Sequence, residues 1–519
     1  MKCRQCEETV GENGCEKRGA CGKAPETADL QDRLIHSLIG LAAAAMEARE
    51  RGGDVGEAVG HIAESLFATL TNANFDGERI AALIERSEEL MGAAGGCRAC
   101  GSGGFGLDSL SPDEDVRSLK EILLYGLKGL AAYYHHARAL GRRDEEVEGF
   151  MLKGLAFLSE DASAGEALEE AMECGRAGIS CLALLDTANT GAYGSPEVTR
   201  VSLRAGDRPG ILVTGHDLRD LEALLEQTRG SGVDVYTHGE MLPANAYPKL
   251  KAYGNLVGNY GGAWHMQREE FESFNGPILA TTNCIVPPRE SYSGRLFTTG
   301  PAGLGGARHI SERGGRKDFS EIVEMAKGCR PPEPIDDMEI TIGFAHGAAL
   351  GMADRLLEAI GSGAIGRLVV MAGCDGRRAE RSYYSEFAEA LPDNAVILTA
   401  GCAKYRYNKL GLGEVCGVPR VIDAGQCNDC YSLIRVAMGL AEAAGVGIGD
   451  LPLSFNISWY EQKACLVLLS LLSLGVKDIA LGPTLPRFVS PGVLKVLSER
   501  FGVRGISGVG EDMRALKIA

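Results

Sequence analysis

The chain has 519 residues, 45% of them hydrophobic, and a formal net charge of −17 from 70 acidic and 53 basic side chains. That length allows about three domains, each with its own core; the acidic balance argues against nucleic acid or an anionic membrane surface as a partner, and 16 cysteines are too few for a disulfide scaffold of this size. The start is polar, without an apolar signal region, and the longest apolar stretch, around Ala464 to Val476, is too short and too interrupted to span a bilayer, which predicts a cytoplasmic protein with no membrane partner.

The first segment, MKCRQCEETVGENGCEKRGACGK, sets Cys3, Cys6, Cys15 and Cys21 in the spacing C-x2-C-x8-C-x5-C, with Gly11, Gly14, Gly19 and Gly22 letting the backbone close around a compact object. Four thiolates in so short a loop can hold a 4Fe-4S cluster, although the spacing differs from the common ferredoxin runs. Structural zinc is the competing reading. Disulfides fit less well, because no secretory segment accompanies the cysteines.

From about residue 27 to 195 the pattern is helical. Leu34, Ile35, Leu38, Ala42 and Ala45 recur at helical spacing, then Ile62, Leu66 and Leu70, then Ile80, Leu83 and Ile84, then Leu119, Leu123, Leu127 and Leu130, with later repeats near Phe150 to Leu158 and Ala167 to Leu185. Six helices joined by Gly-rich or polar loops predict a bundle. Within this region Cys97 and Cys100 form a second C-x2-C in GGCRACGSGGFG, but only these two thiols are close in sequence; the pair reads as flexible, or as half of an adventitious metal site. His135 and His136 read as helix-surface or packing residues. After Ser195-Pro196 strands alternate with helices, giving one α/β unit to about residue 325, and the Pro-rich segment CRPPEPIDD, Cys329 to Asp337, links it to a second that runs to the end. The predicted fold is therefore multidomain: a cysteine loop and helical bundle over 1–195, then α/β domains with mostly parallel sheets over 196–325 and 326–519.

Seven short apolar runs in the α/β units end on a residue that can bind a metal. They are ILVTGHD (His216), VDVYTHGE (Glu240), ILATTNC (Cys284), LVVMAGC (Cys374), VILTAGC (Cys402), VIDAGQC (Cys427) and LSFNISWYE (Glu461). Each reads as a buried strand of a mostly parallel sheet, and open α/β sheets bind ligands at the carboxyl ends of their strands. Four thiols, two carboxylates and an imidazole would converge there, three of them from the first unit and four from the second, at the interface between the units. Soft thiolates with harder oxygen and nitrogen donors suit an iron–sulfur assembly in which some iron is not held by sulfur alone.

With these motifs in view the chain resembles the hybrid cluster proteins, also called prismane proteins or hydroxylamine reductases. The resemblance runs the whole length, through KCRQCEET, GACGKAPETADLQD, VTGHDL, YTHGEMLPANAYP, TTNCIVPP, AGCDGRRAERSYYSEFA, LTAGCAKYRYN, GQCNDCYS and SWYEQKA. It implies a helical domain with two Rossmann-like α/β domains, a 4Fe-4S cubane on Cys3, Cys6, Cys15 and Cys21, and a hybrid 4Fe-2S-2O cluster on His216, Glu240, Cys284, Cys374, Cys402, Cys427 and Glu461. Cys374 matches the family's cysteine that can carry a persulfide, and Lys463, in YEQKA, a lysine beside the cluster. The spacing of the N-terminal cysteines is similar to that of the 4Fe-4S members rather than those with a 2Fe-2S cluster. Cys430 is a ligand candidate by spacing; the family match favours Cys427.

The chemistry then assigns roles. Cys284, Cys402 and Cys427 would hold the sulfur-rich part, and His216, Glu240 and Glu461 would surround the more Lewis-acidic iron that accepts a small N–O ligand. Glu461 could open a coordination position, and Lys463 would deliver protons, with His216 or Glu461 when either is off the metal. Electrons would enter through the N-terminal cluster from a separate reductase or ferredoxin-like donor, since no flavin or nicotinamide segment is evident. The predicted function is reduction of hydroxylamine to ammonia and water. Nitric oxide reduction to nitrous oxide, nitrosyl transfer to partner thiols as a redox signal, and a nickel-containing carbon monoxide dehydrogenase are the alternatives. Cys174, Cys181, Cys329, Cys416 and Cys465 sit in apolar or helical surroundings and read as packing residues. GPAGLGGARH, Gly300 to His309, reads as a structural turn, with no nucleotide predicted. His346, in GFAHGAAL, is a weaker alternative ligand.

Overall fold

The structure, a computed structural model, describes residues 1–11, 13–96 and 106–518. Cys97 and Cys100 lie outside the described residues. Behind the N-terminal loop stand six α-helices, α1 (Pro25–Glu50), α2 (Gly56–Ala68), α3 (Gly77–Ala93), α4 (Glu114–Ala139), α5 (Glu145–Phe157) and α6 (Ala164–Tyr193). Their starts follow local chemistry: Asp76, Asp113 and Asp144 each accept hydrogen bonds from backbone N–H groups of the first turn, and Ser163 with Glu166 forms a capping box. Helix α4 is buried nearly all round, with Leu123, Leu127 and Leu130 on one side and Lys120, Glu121 and Lys128 also enclosed, so it forms the centre of the bundle.

Each α/β unit contains a six-stranded, wholly parallel sheet. The first uses β2 (Gly210–Thr214), β3 (Asp234–His238), β4 (Leu256–Asn259), β5 (Ile278–Ala280), β6 (Leu296–Thr299) and β7 (Arg308–Ile310) in the order β4-β3-β2-β5-β6-β7. The second uses β9 (Arg367–Val370), β10 (Ala395–Thr399), β13 (Val421–Asp423), β14 (Leu453–Ser458), β15 (Ile479–Gly482) and β16 (Arg504–Gly505) in the order β13-β10-β9-β14-β15-β16. Counted within its own unit, each sheet has the doubly wound order 3-2-1-4-5-6. An antiparallel ribbon of β1 (Thr199–Ser202) and β8 (Glu339–Ile342) straddles the expected boundaries, and a short hairpin of β11 (Glu414–Val415) and β12 (Val418–Pro419) precedes β13. Its turn leaves Cys416 exposed and with φ of 51°, which corrects the expectation that this thiol packs in a core: the residue lies between strands too short to carry it inward. Cys329 is half-buried, and Cys174, Cys181 and Cys465 are buried. The GPAGLGGARH segment is a turn between β6 and β7 that abuts the helical domain, where Gly303 exchanges backbone hydrogen bonds with Ala73 and Phe75.

The helix Gln462–Ser473, after β14, is wedged between α4 and α6. A Cβ on Gly129 of α4 would lie 3.0 Å from the Gln462 carbonyl oxygen, and one on Gly175 of α6 would lie 2.3 Å from that of Leu469. Glycine at these two positions lets the helical domain set where the Gln462–Ser473 helix begins, at Glu461.

Candidate metal centre

The seven residues that end apolar runs all follow the carboxyl end of a parallel strand. His216 and Cys284 follow β2 and β5, the strands either side of the first sheet's switch point; Cys374 and Glu461 follow β9 and β14, their equivalents in the second. Glu240, Cys402 and Cys427 follow β3, β10 and β13. The two switch points face each other. All seven residues, with Trp264, Gly373, Tyr460 and Lys463, line a single cavity between the sheets.

Its loops are held by close backbone approaches. Gly401 has φ of 87°, and a Cβ there would stand 2.3 Å from the Gly373 carbonyl oxygen. Gly401→Ala is therefore expected to cost at least about 2 kcal/mol and to lower the iron content of the purified protein, as read by thermal denaturation and iron assay. Cys284 has φ of 73°, the left-handed region that a non-glycine residue seldom adopts, and Gln267 Nε2 holds its carbonyl at 2.6 Å.

The polar geometry converges on His216. Its Nε2 lies 3.8 Å from Glu240 Oε2, and donor atoms of His216, Glu240 and Cys427 all fall within 4.8 Å of one another. Lys463 Nζ lies 2.9 Å from His216 Nε2, 3.0 Å from Asn283 Oδ1 and 3.6 Å from Glu461 Oε1. An ammonium only donates, so His216 Nε2 is the acceptor and Nδ1 carries the proton, donating to Thr282 Oγ1 at 2.8 Å. The imidazole thus turns a lone pair toward the cavity. Glu240 Oε2 accepts from the Cys427 amide at 2.7 Å, while its Oε1 is buried without a partner.

Charge balance says what this donor set needs. Burial pushes the thiols of Cys284, Cys402 and Cys374 far up, pushes Cys427 up to about 12, and raises the Glu461 carboxyl. Burial also works against the Lys463 ammonium, but Cys427, Glu461, Cys284 and Glu240 outweigh it and hold Lys463 charged. One ammonium cannot balance four thiolates and two carboxylates in a buried space. The set ionises together only when further positive charge enters, and soft sulfur beside hard oxygen and nitrogen fits iron in a sulfur-containing assembly. The unpartnered Glu240 oxygen is a ready donor for it.

The second thiol group lies next door. Cys3 and Cys15 pair through their backbones, at 3.2 and 2.8 Å, Cys6, Cys15 and Cys21 are buried, and the Cys6 thiol is pushed far up by burial and then by the neighbouring Cys21, Cys3, Glu8 and Cys15. This loop docks on the metal-site strands. Glu7 N donates to the Tyr460 carbonyl at 3.0 Å, and Gln462 Nε2 to that of Gln5 at 2.5 Å. Glu7 forms ion pairs with Arg378 at 2.7 Å and with Arg381 at 3.2 Å. Arg381, wholly buried, also donates to Ser458 Oγ and to the carbonyls of Trp459 and Cys374. Tyr460 lines the cavity on one side, and its hydroxyl donates to Glu8 on the other.

Several residues around the cavity escaped the sequence reading. Asn283, which holds Lys463, and Thr282, which sets the His216 tautomer, immediately precede Cys284, and that adjacency was the available signal. Tyr133 comes from α4 with no such signal; its buried hydroxyl has no oxygen or nitrogen partner and faces the Cys427 sulfur. His136 stands 4.0 Å from Asp217, the residue after His216, and burial holds its imidazole down to about 3. His346 bonds Ser432 at 3.2 Å, and neither it nor Cys430 lines the cavity.

The model of the Prismane/CO dehydrogenase family matches residues 1–514. The chain belongs to this family. Its relatives include proteins named hydroxylamine reductase from Methanosarcina mazei, 54% identical over 99% of this chain and 100% of that one; from Clostridium perfringens, 52% identical over 99% of each; and from Desulfovibrio desulfuricans, 51% identical over 99% of each. Among solved structures, the fold is shared with a nickel-free carbon monoxide dehydrogenase from Thermococcus sp. AM4, at a TM-score of 0.58 and 20% identity over 100% of this chain and 90% of that one. It is shared too with carbon monoxide dehydrogenase IV from Carboxydothermus hydrogenoformans, at a TM-score of 0.58 and 16% identity over 99% and 92%. At such identities the likeness is one of fold. Among the described residues no helix is long and apolar enough to cross a membrane.

Proposed function

We propose that this Prismane/CO dehydrogenase family protein is an iron–sulfur oxidoreductase that reduces hydroxylamine, NH2OH + 2e− + 2H+ → NH3 + H2O. The observation that carries the reading is the single cavity in which two facing switch points gather four thiols, two carboxylates and an imidazole around one ammonium. Relatives at 51–54% identity along the whole chain bear the name hydroxylamine reductase, and this favours hydroxylamine over the carbon monoxide chemistry of the more distant structural neighbours.

In this reading Cys284, Cys374, Cys402, Cys427, His216, Glu240 and Glu461 hold a hybrid 4Fe-2S-2O cluster, with Cys374 able to carry a persulfide, and Cys3, Cys6, Cys15 and Cys21 hold a 4Fe-4S cluster. The hybrid cluster supplies electrons and a Lewis-acidic iron. Lys463 Nζ, fixed by Asn283, holds a proton within reach of the cavity for the departing oxygen, and burial of its neighbours keeps bulk water away. Electrons enter at the N-terminal loop from a separate reductase or ferredoxin-like donor, and the protein acts in the cytoplasm. The repeated strand order supports dividing the chain into domains at 1–195, 196–325 and 326–519.

Anaerobic turnover with a reduced viologen tests the reading: ammonia should form in proportion to hydroxylamine consumed, and protein loaded with both clusters that forms none overturns it. Lys463→Met should lower kcat by about 100-fold while KM changes little, because the ammonium acts on the departing group rather than on binding.

A further inference from the structure

Tyr133 reaches the metal site from the helical domain rather than from either sheet. It stands on α4, 2% exposed, in the apolar core that the bundle shares with the second α/β unit. Packing accounts for the ring but not for the hydroxyl. That oxygen is buried with no oxygen or nitrogen partner among the described residues, and a hydroxyl enclosed in this way costs free energy that a phenylalanine in the same place would not. What the hydroxyl faces is the sulfur of Cys427, a hydrogen-bonding neighbour that also lines the metal-site cavity.

Charge fixes the direction of this contact. Burial, and next the neighbouring Cys427, raise the Tyr133 phenol far above its ordinary range, so it keeps its proton. A metal-bound Cys427 is a thiolate and has none to give. The phenol is then the donor and the sulfur the acceptor. Both ends are held: Tyr133 by the core of the bundle, and Cys427 by its amide, which donates to Glu240 Oε2 at 2.7 Å, and by the turn Cys427–Asp429, which lies against α6. Across the cavity Asn283 stands in the same relation to Cys284, with Nδ2 3.5 Å from Sγ.

We propose that Tyr133 is a positioning residue that tunes the metal centre, its hydroxyl donating to the Cys427 thiolate and favouring the reduced state of the cluster held there. Hydrogen bonds to ligand sulfurs are among the levers that set iron–sulfur potentials. Reduction places more negative charge on sulfur, so the bond is stronger in the reduced state, and its loss moves the potential down. The inference rests on the proposed function in taking Cys427 as a ligand of the hybrid cluster.

Redox titration of the cluster-loaded protein, followed by electron paramagnetic resonance, tests this with Tyr133→Phe. The one-electron reduction equilibrium of the hybrid cluster should fall by about tenfold, a potential about 59 mV more negative. The potential of the cluster proposed for Cys3, Cys6, Cys15 and Cys21 should not move, and neither should Tm. Electron–nuclear double resonance after exchange into deuterated buffer should show, in the wild type, an exchangeable proton coupled to the hybrid cluster that Tyr133→Phe lacks. A tyrosine that only packs would give a lowered Tm with the potential unchanged, and that result overturns the tuning role. So does an equal shift in both clusters, or loss of the hybrid cluster from the variant. Wild-type protein with no cluster at Cys427, or with no hydroxylamine turnover, overturns the proposed function instead; an unchanged potential beside normal turnover overturns the inference alone.

Discussion

Glu461→Gln is expected to abolish turnover, by about 100-fold or more, while the cluster proposed for Cys3, Cys6, Cys15 and Cys21 keeps its spectrum. Glu461 does two jobs that this substitution separates. Its Oε2 accepts from the Lys463 amide at 2.8 Å and so caps the Gln462–Ser473 helix, a role that a glutamine side-chain oxygen can retain. Its charge, turned toward Lys463 Nζ and the cavity, is lost. The fold should therefore survive and the cavity should lose an anionic donor. Thermal denaturation and electron paramagnetic resonance of the two proposed clusters, alongside ammonia assays, check the three parts separately, and full activity in the variant would sink the role given to Glu461.

Glu7→Ala should have the largest effect on stability. Glu7 and Arg381 are both wholly buried, and Arg381 reaches from the N-terminal loop to the carbonyls of Cys374 and Trp459. Removing the carboxylate strands a guanidinium in the interior, which costs about 3–5 kcal/mol. The loss should appear as a lowered Tm and as premature release of iron from the N-terminal cysteines. In a double-mutant cycle, Arg381→Met added to Glu7→Ala should cost less than the sum of the single changes, because the stranded charge is gone. Strict additivity would show that the pair is not coupled.

What the amino-acid sequence revealed depended on whether a feature was local. Parallel strands buried on both faces read as unbroken apolar runs, so β2, β3, β9, β10 and β14 were visible with the polar residues that follow them. The pairing of β2 with β5 and of β9 with β14, which sets His216 beside Cys284 and Cys374 beside Glu461, is decided by crossovers packing on the sheet, and no residue pattern states it. Tyr133 was invisible for a related reason: on α4 it looks like any apolar core position, and only the docking of the helical domain turns it to Cys427. Cys416 shows the converse error, since an apolar neighbourhood in sequence became the tip of an exposed hairpin.

The enclosure of the metal site bears on how the protein is made. His216, Glu240, Cys402 and Glu461 are each no more than 5% exposed, and they come from two sheets whose relative position is further fixed by the helical domain and the N-terminal loop. The four-iron group proposed for this site could not diffuse through walls packed in this way. With that group in place, maturation would have to deliver the metal while the sheets are still apart, or part them again, with closure of the N-terminal loop through Glu7 and Arg381 following it.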